Sequence, residues 1–215
     1  MSDDKQLKQA VLDEMIWEPS VNAAHIGVAA KAGIVTLMGH VESYSEKYAA
    51  ENAARRVKGV KAVVEEIEVQ LPFSTKRSDE EIAAAAIGRL GWNAAFSGDP
   101  VKIKVEKGWI TLTGEVDWHF QKEIAADDIR SLWGVTGISN QIKIKPRPNA
   151  SNIKDNIMVA LHRSWFDPKA INVAVDGGTV SLTGTVHKWT ERALAASTAW
   201  AAPGTTWVHN NIDVH

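Results

Sequence analysis

The side chains that could do chemistry in this chain are seven histidines, several pairs of acidic residues and many lysines, and there is no cysteine. Without cysteine, thiolate metal sites, iron–sulfur clusters, disulfides and a cysteine nucleophile are excluded. The histidines show neither the H-x-H nor the H-E-x-x-H spacing that is typical of metal-binding strands and helices. We therefore expect no metal centre built from side chains.

Catalytic motifs are also missing from the sequence. Serine, histidine and aspartate occur without a G-x-S-x-G elbow, and neither a Walker A nor a G-x-G-x-x-G sequence is present. His40, His119 and His187 fall near the start of predicted helices, where a polar residue on a solvated turn is the simpler interpretation. A cation held by backbone carbonyls would leave no side-chain pattern, so that alternative stays open. The sequence predicts no catalytic residues and no bound cofactor.

The composition is that of a folded protein without a membrane span. Hydrophobic residues make up 45% of the 215 residues and charged residues 23%, and no apolar run reaches the roughly 18–20 residues that cross a bilayer. Gln6, Lys8 and Gln9 stand where a signal peptide would have its apolar centre. We therefore expect a cytoplasmic location, or a periplasmic one if an export signal preceded this sequence.

One short pattern, G-x-[VI]-[TS]-L-x-G-x-V, occurs three times in the chain, at residues 33–41, 108–116 and 178–186. A further glycine follows the second glycine of each copy after twenty residues, and the apolar positions beyond it also align. A register held over this length indicates one structural unit that is used three times. We interpret six recurring residues as structural turn glycines: Gly39, Gly114, Gly184, Gly59, Gly134 and Gly204.

Each copy is predicted to fold in the order helix, strand, strand, helix, strand. Leu7, Val11 and Met15 have the i, i+4, i+8 spacing that gives the first helix one buried face. Residues 101–105 alternate with period two, as half-buried strands do, and turn residues after them predict a β-hairpin. The second helix carries the chain back, so the last strand should run parallel to the second strand through a right-handed crossover.

The predicted fold class is therefore α+β. We expect three tandem αββαβ units over residues 1–71, 79–146 and 151–215, joined by short linkers rich in turn-forming residues. Each unit should contain a three-stranded mixed sheet with two helices on one face.

These residues resemble the BON domain, a family named for bacterial osmotic-stress and nodulation proteins. The likeness rests on the repeated strand pattern, on the glycine after the second helix, and on an acidic or amide residue followed by a basic residue early in that helix: Glu46-Lys47, Gln121-Lys122 and Glu191-Arg192. The third copy departs from the pattern, with Pro203 before its glycine and Thr205 where the others have valine. The resemblance implies a non-enzymatic, transport-associated binding or scaffold protein of osmotic or envelope stress. It also implies phospholipid contact or protein assembly as the role.

If both helices cover one side of each sheet, the other side is open, and alternation predicts what it carries. The first copy should present an apolar face with an acidic edge, and the third a nearly neutral face. The second copy should present a basic face with one aromatic residue. Lysines around a tryptophan suit an anionic phospholipid surface, with ammonium groups on phosphates and the indole at the interface. The candidate anionic-surface residues are Lys102, Lys104, Trp109, Lys143 and Lys145.

Other interpretations of this basic face stay open. The lysines could meet Glu66 and Glu68 across an interface, which favours a protein partner or a homo-oligomer, or they could simply solvate the sheet. Single-stranded nucleic acid would use a basic face with stacking rings, but one tryptophan without a second aromatic residue fits it poorly, and we do not expect a nucleic acid partner. Binding of a small ligand or an ion between units is a further alternative.

The nine tryptophans are predicted mainly to pack inside the protein. Trp17 and Trp92 end the first helices of two copies at the same distance from the repeated glycine, which favours a shared place in the core. Trp133, Trp200 and Trp207 are also expected to pack, whereas Trp165 has no clear equivalent.

Overall fold

A computed structural model of the protein describes residues 3–96, 100–146, 152–163 and 170–214. Its helices and strands follow the predicted order three times, which confirms the α+β class with tandem αββαβ units. The first repeat contains α1 (Asp3–Trp17), β1 (Ile26–Lys31), β2 (Ile34–Val41), α2 (Tyr44–Arg56) and β3 (Ala62–Val69). The second contains α3 (Asp79–Trp92), β4 (Val101–Glu106), β5 (Trp109–Val116), α4 (His119–Arg130), β6 (Gly137–Asn140) and β7 (Lys143–Ile144). The third contains α5 (Ile153–His162), β8 (Ile171–Asp176), β9 (Thr179–Val186), α6 (Trp189–Ala201) and β10 (Trp207–Val214).

The three sheets share one topology, in which the second strand of each repeat lies in the middle. Strands β1 and β2 are antiparallel, as are β8 and β9. Strands β2 and β3 are parallel, and so are β9 and β10, as the helical crossover requires. In the second repeat the last strand is divided into β6 and β7, and β7 pairs in parallel with β5.

The described chain divides into two compact units, and the division runs through the second repeat. The first unit comprises Met1–Trp92, Ile103–Thr111 and Asp127–Ser139. The second unit comprises Asn93–Lys102, Leu112–Ala126 and Asn140–His215. The first unit therefore holds the whole first repeat, and the second unit holds the third repeat.

In the first and third repeats the hydrophobic core lies between the helices and one face of the sheet. In the first repeat Val11 and Met15 of α1 pack with Val35, Leu37 and Ile67, and all five are buried. The third repeat has an equivalent cluster, which includes Ile157, Leu161, Val180, Leu182 and Ile212. These residues have the spacing that predicted the helices and strands, so local pattern and packing agree.

The second glycine of each repeated strand pattern lies inside a strand, not in a turn. Gly39 in β2 has φ +121°, and a Cβ there would overlap the carbonyl oxygen of His25. Gly114 and Gly184 meet the carbonyl oxygens of the residues just before β4 and β8 in the same way. Glycine is therefore required because another backbone segment approaches it closely. The other three, Gly59, Gly134 and Gly204, follow the second helices and also have positive φ.

The acidic or amide residue early in each second helix caps that helix. Glu191 accepts hydrogen bonds from the backbone N–H groups of His187 and Lys188, at 2.9 and 3.2 Å. Gln121 accepts in the same way from the two residues before α4. The neighbouring cation ties the helix to the last strand, since Lys47 donates to the carbonyl of Ile67 and Arg192 donates to that of Ile212. The residues that carry the family resemblance are therefore structural.

The predicted core position of Trp17 and Trp92 is wrong. Their side chains are 83% and 92% exposed. Each stands two residues after the last buried residue of its helix, Met15 or Leu90, and thus about 200° around the helix from the buried face. Trp133 and Trp207 are also exposed, contrary to expectation, whereas Trp200 is partly buried. Trp165 lies outside the described residues.

Candidate functional site

The open faces of the three sheets differ as the alternation predicts. The first repeat exposes Ile34, Met38 and Val64 on its open face, beside Glu66 and Glu68 at the end of β3. The third repeat exposes mainly small polar residues. The second repeat exposes four lysines and Trp109, the residues predicted for an anionic surface. They fall into two groups, one in each compact unit, and each group is described by itself.

The first group consists of Lys104 and Trp109. The Trp109 side chain is half exposed, and its ring lies so close over Gly137 that a Cβ at that position would overlap the indole. The absence of a side chain at Gly137 therefore lets the indole pack directly on the backbone of β6. The Nζ atom of Lys104 lies 2.8 Å from Oε2 of Glu106, and both side chains are well exposed. Lys104 is thus an ion-paired cation, with part of its charge compensated locally.

The second group consists of Lys102, Lys143 and Lys145. Lys143 stands opposite Glu115 in the pairing of β5 with β7, and Nζ of Lys145 lies 3.8 Å from Oδ1 of Asp117. The register of the third repeat, in which Asn172 faces Thr183, places Lys102 opposite Thr113. Lys102 and Lys143 are exposed, and within the described ranges neither forms an ion pair. These two ammonium groups are the ones most available to a ligand.

Sequence reasoning missed the acidic residues of this face. Glu106 and Glu115 have the same strand parity as Lys104 and Trp109, so alternation alone could have placed them on the open side. Asp117 follows β5 and could not be placed by parity. In each group, these carboxylates offset part of the lysine charge.

Aromatic contacts between repeats were also missed. In the second unit the imidazole of His119 stacks on the indole of Trp200, with ring centroids 3.8 Å apart. The two rings line an open, mostly apolar groove of about 540 Å³ together with Phe120, Ile124 and Ser197. Burial lowers the pKa of His119, while nearby Glu123 acts in the opposite direction. No spacing in the sequence marks such a contact, because its residues come from different repeats.

In the first unit the contact between repeats is made by an arginine on an aromatic ring. The guanidinium carbon of Arg130 lies 3.5 Å from the ring centroid of Tyr48, and Asp127 pairs with the same arginine at 2.6 Å. Ser45 Oγ donates a hydrogen bond to the carbonyl of Arg130. Burial raises the pKa of the neighbouring Tyr44.

Metal ligands do not gather in the described part of the chain. Across its four ranges there is no group of three histidine or carboxylate side chains that could hold an ion. His25 and His40 stack on each other at 4.7 Å but have no third ligand of this kind. Among the helices described, none is both long and apolar enough to cross a bilayer.

The three αββαβ repeats define a class of small tandem α+β domains. The chain belongs to the BON domain family, whose sequence profile matches residues 3–70, 78–146 and 149–215. It is 25% identical over 147 residues to osmotically-inducible protein Y of Escherichia coli strain K12. The aligned region covers 66% of this chain and 73% of that protein.

Among solved structures the chain is similar to two structures of CdsD, described as a structural protein of the type III secretion system of Chlamydia trachomatis. One, of the C-terminal domain, shows 17% identity and a TM-score of 0.27, covering 100% of this chain and 98% of that chain. The other shows 16% identity and a TM-score of 0.28, covering 98% and 92%.

Proposed function

We propose that this protein is a non-enzymatic BON-domain protein that associates with anionic phospholipid surfaces through the open sheet face of its second repeat. The observation that carries the proposal is the exposure of Lys102 and Lys143 on that face without an ion pair in the described ranges. The relative from Escherichia coli is named for osmotic induction, which favours a role in osmotic or envelope stress.

Electrostatics sets the expected strength of this association. Each lysine near an anionic membrane contributes about 1 kcal/mol, and the effect decays within a Debye length. Glu115 and Asp117 lie beside Lys143 and Lys145 and offset part of that attraction. The half-exposed indole of Trp109 suits the headgroup region. The result is a weak, reversible association that salt abolishes.

Vesicle co-sedimentation tests the proposal. The full chain should sediment with vesicles of phosphatidylglycerol and phosphatidylcholine at low salt, and much less with phosphatidylcholine alone or at high salt. The double variant Lys102→Glu and Lys143→Glu should lose most of the binding. The matched control is Lys5→Glu and Lys8→Glu, which makes the same charge change on exposed positions of α1. Equal loss in both double variants, or no binding at low salt, would refute the lipid proposal.

Protein assembly is the second candidate function. It is favoured by the two cation or aromatic contacts between consecutive repeats, Arg130 with Tyr48 and His119 with Trp200. These contacts support the candidate, because in each of them the second helices of two consecutive repeats pack against each other. Light scattering on the purified chain tests this candidate, with a mass above 23.4 kDa expected and a constant monomer mass excluding self-assembly.

A further inference from the structure

The contacts between consecutive repeats use corresponding parts of the second helix. On one side the contacting residues, Arg130 and Trp200, are equivalent, and on the other side Tyr48 lies one helical turn after Tyr44, the equivalent of His119. We call the first turns of that helix the helix-start surface and its last turns the helix-end surface. Counted from the repeated glycines, the first residues of the helix-start surface are Tyr44, His119 and Trp189 in the three repeats. The equivalent residues of the helix-end surface are Arg55, Arg130 and Trp200.

In the first unit, the helix-start surface of repeat one meets the helix-end surface of repeat two. Arg130 lies over the ring of Tyr48 at 3.5 Å, and Ser45 Oγ donates to the carbonyl of Arg130 at 3.3 Å. Only 21% of the Arg130 side chain is exposed. A delocalised cation on an aromatic ring therefore forms the centre of this contact.

In the second unit, the same two surfaces of the next repeats meet. His119 stacks on Trp200 with their planes 19° apart, and only 22% of the His119 side chain is exposed. Phe120 and Ser197 line the same groove. Phe120 is equivalent to Thr190 of the third repeat, and Ser197 is equivalent to Asn52 of the first. The start of one second helix thus meets the end of the next in both units, although the contacting residues differ.

The series leaves one surface of each kind at the two ends of the chain. The helix-start surface of repeat three presents Trp189, which is 53% exposed, followed by the exposed Thr190. The helix-end surface of repeat one presents Arg55, whose side chain is 61% exposed and pairs with Glu51 at 2.6 Å. Arg192 approaches one side of the Trp189 ring, at 5.3 Å. The end residues are therefore far more exposed than their internal equivalents.

We propose that a second copy of this chain docks head to tail, with the helix-start surface of repeat three on the helix-end surface of repeat one. The two ends are chemically complementary, because the electron-rich indole of Trp189 accepts the guanidinium of Arg55 as Tyr48 accepts Arg130. The two surfaces differ, so the interface is heterologous. Such an interface leaves one free surface at each end and produces rings or open filaments.

Cross-linking tests the pairing of the two surfaces. Because the chain has no native cysteine, only the introduced cysteines can react with the cross-linker. One preparation carries Thr190→Cys and another carries Asn52→Cys, so that Trp189 and Arg55 are retained. A short bis-maleimide should join an equimolar mixture into dimers at several times the yield from either preparation alone. Lys8→Cys on α1, mixed with either variant, is the control. Equal yields from the mixture and from the single preparations would overturn the proposal.

Sedimentation velocity without lipid measures the association itself, so its result does not depend on the lipid proposal. The wild-type chain should show a sedimentation coefficient that rises with concentration. Trp189→Ala and Arg55→Ala should each weaken association about tenfold, as truncation of a central aromatic or arginine contact does. Trp17→Ala, at another highly exposed tryptophan, should have no effect. A wild-type chain that stays monomeric up to about 1 mM, or association that survives both variants, would overturn the proposal.

Discussion

The imidazole of His119 lies nearly parallel to the indole of Trp200, with ring centroids 3.8 Å apart and planes 19° apart. The stack joins α4 of the second repeat to α6 of the third within one compact unit. Burial disfavours the charged imidazole and lowers the pKa of His119, so we expect the stack to respond to pH. Glu123, 3.6 Å away, favours the charged form, and Lys122 disfavours it.

Stability should therefore fall as this histidine becomes protonated. Its pKa in the folded chain is below the ordinary value of 6.5, so the unfolded chain takes up the proton first as the pH falls. The contribution of His119 to the free energy of unfolding is thus fully present above 6.5 and is lost as the pH falls below it. Urea unfolding at about pH 7.5 and about pH 5.5 measures the loss.

The control for this pH dependence is His119→Phe, which keeps an aromatic ring on Trp200 and removes the titrating group. The variant should lose less stability between the two pH values than the wild type, since the remaining histidines are common to both chains. Identical losses in the two proteins would mean that His119 does not couple to stability.

Replacing Thr205 by valine should stabilise the folded protein. It is 4% exposed, and its Oγ1 is buried without a hydrogen-bond partner in the described structure. Val60 and Val135 occupy the equivalent buried positions of the other repeats. Thr205→Val keeps the shape and removes the unsatisfied hydroxyl, so the free energy of unfolding should rise by about 1 kcal/mol.

Urea denaturation measures this change, and Thr185→Val is its control because Thr185 lies on the exposed face of β9. The control should change stability by less than about 0.5 kcal/mol. A destabilised Thr205→Val protein would contradict the assignment of an unsatisfied buried hydroxyl.

Gly114 should not tolerate alanine. Its φ is +129°, and a Cβ there would overlap the carbonyl oxygen of Pro100. Gly114→Ala should therefore lower the free energy of unfolding by more than about 2 kcal/mol. Gly88→Ala is the control, because Gly88 lies in α3 with open space around it. That substitution should raise stability by up to about 1 kcal/mol, through helix propensity. Similar effects of the two substitutions would contradict this explanation.

The topology could be predicted from the sequence because the repeated pattern marks the same strand in each of the three repeats. Three copies of one strand pattern fix the central strand of each sheet, and the helix that follows requires a parallel third strand. The division of the last strand of repeat two into β6 and β7 was not predicted, since its apolar residues align with the unbroken strands β3 and β10.

The candidate site could be predicted only in part. Alternation placed Lys102 and Lys143 on the open face, but the charge of that face also depends on Glu115 and Asp117, which the prediction left out. The core prediction for Trp17 was wrong for a different reason. An equal distance from the repeated glycine indicates an equivalent position in the two repeats, but the helical angle of that position points to solvent. Contacts between repeats, such as His119 with Trp200, depend on docking that no single-repeat pattern encodes.

Site-specific fluorescence on membranes tests the lipid proposal most directly, using single cysteines at equivalent positions of two open faces. Thr113→Cys stands on the face of repeat two and Thr183→Cys on the nearly neutral face of repeat three, each carrying an environment-sensitive fluorophore. Vesicles of phosphatidylglycerol and phosphatidylcholine at low salt should shift the emission of the fluorophore at position 113 to the blue and leave that at position 183 unchanged. An equal shift at both positions, a shift only at 183, or no shift at 113 would contradict association through the second repeat.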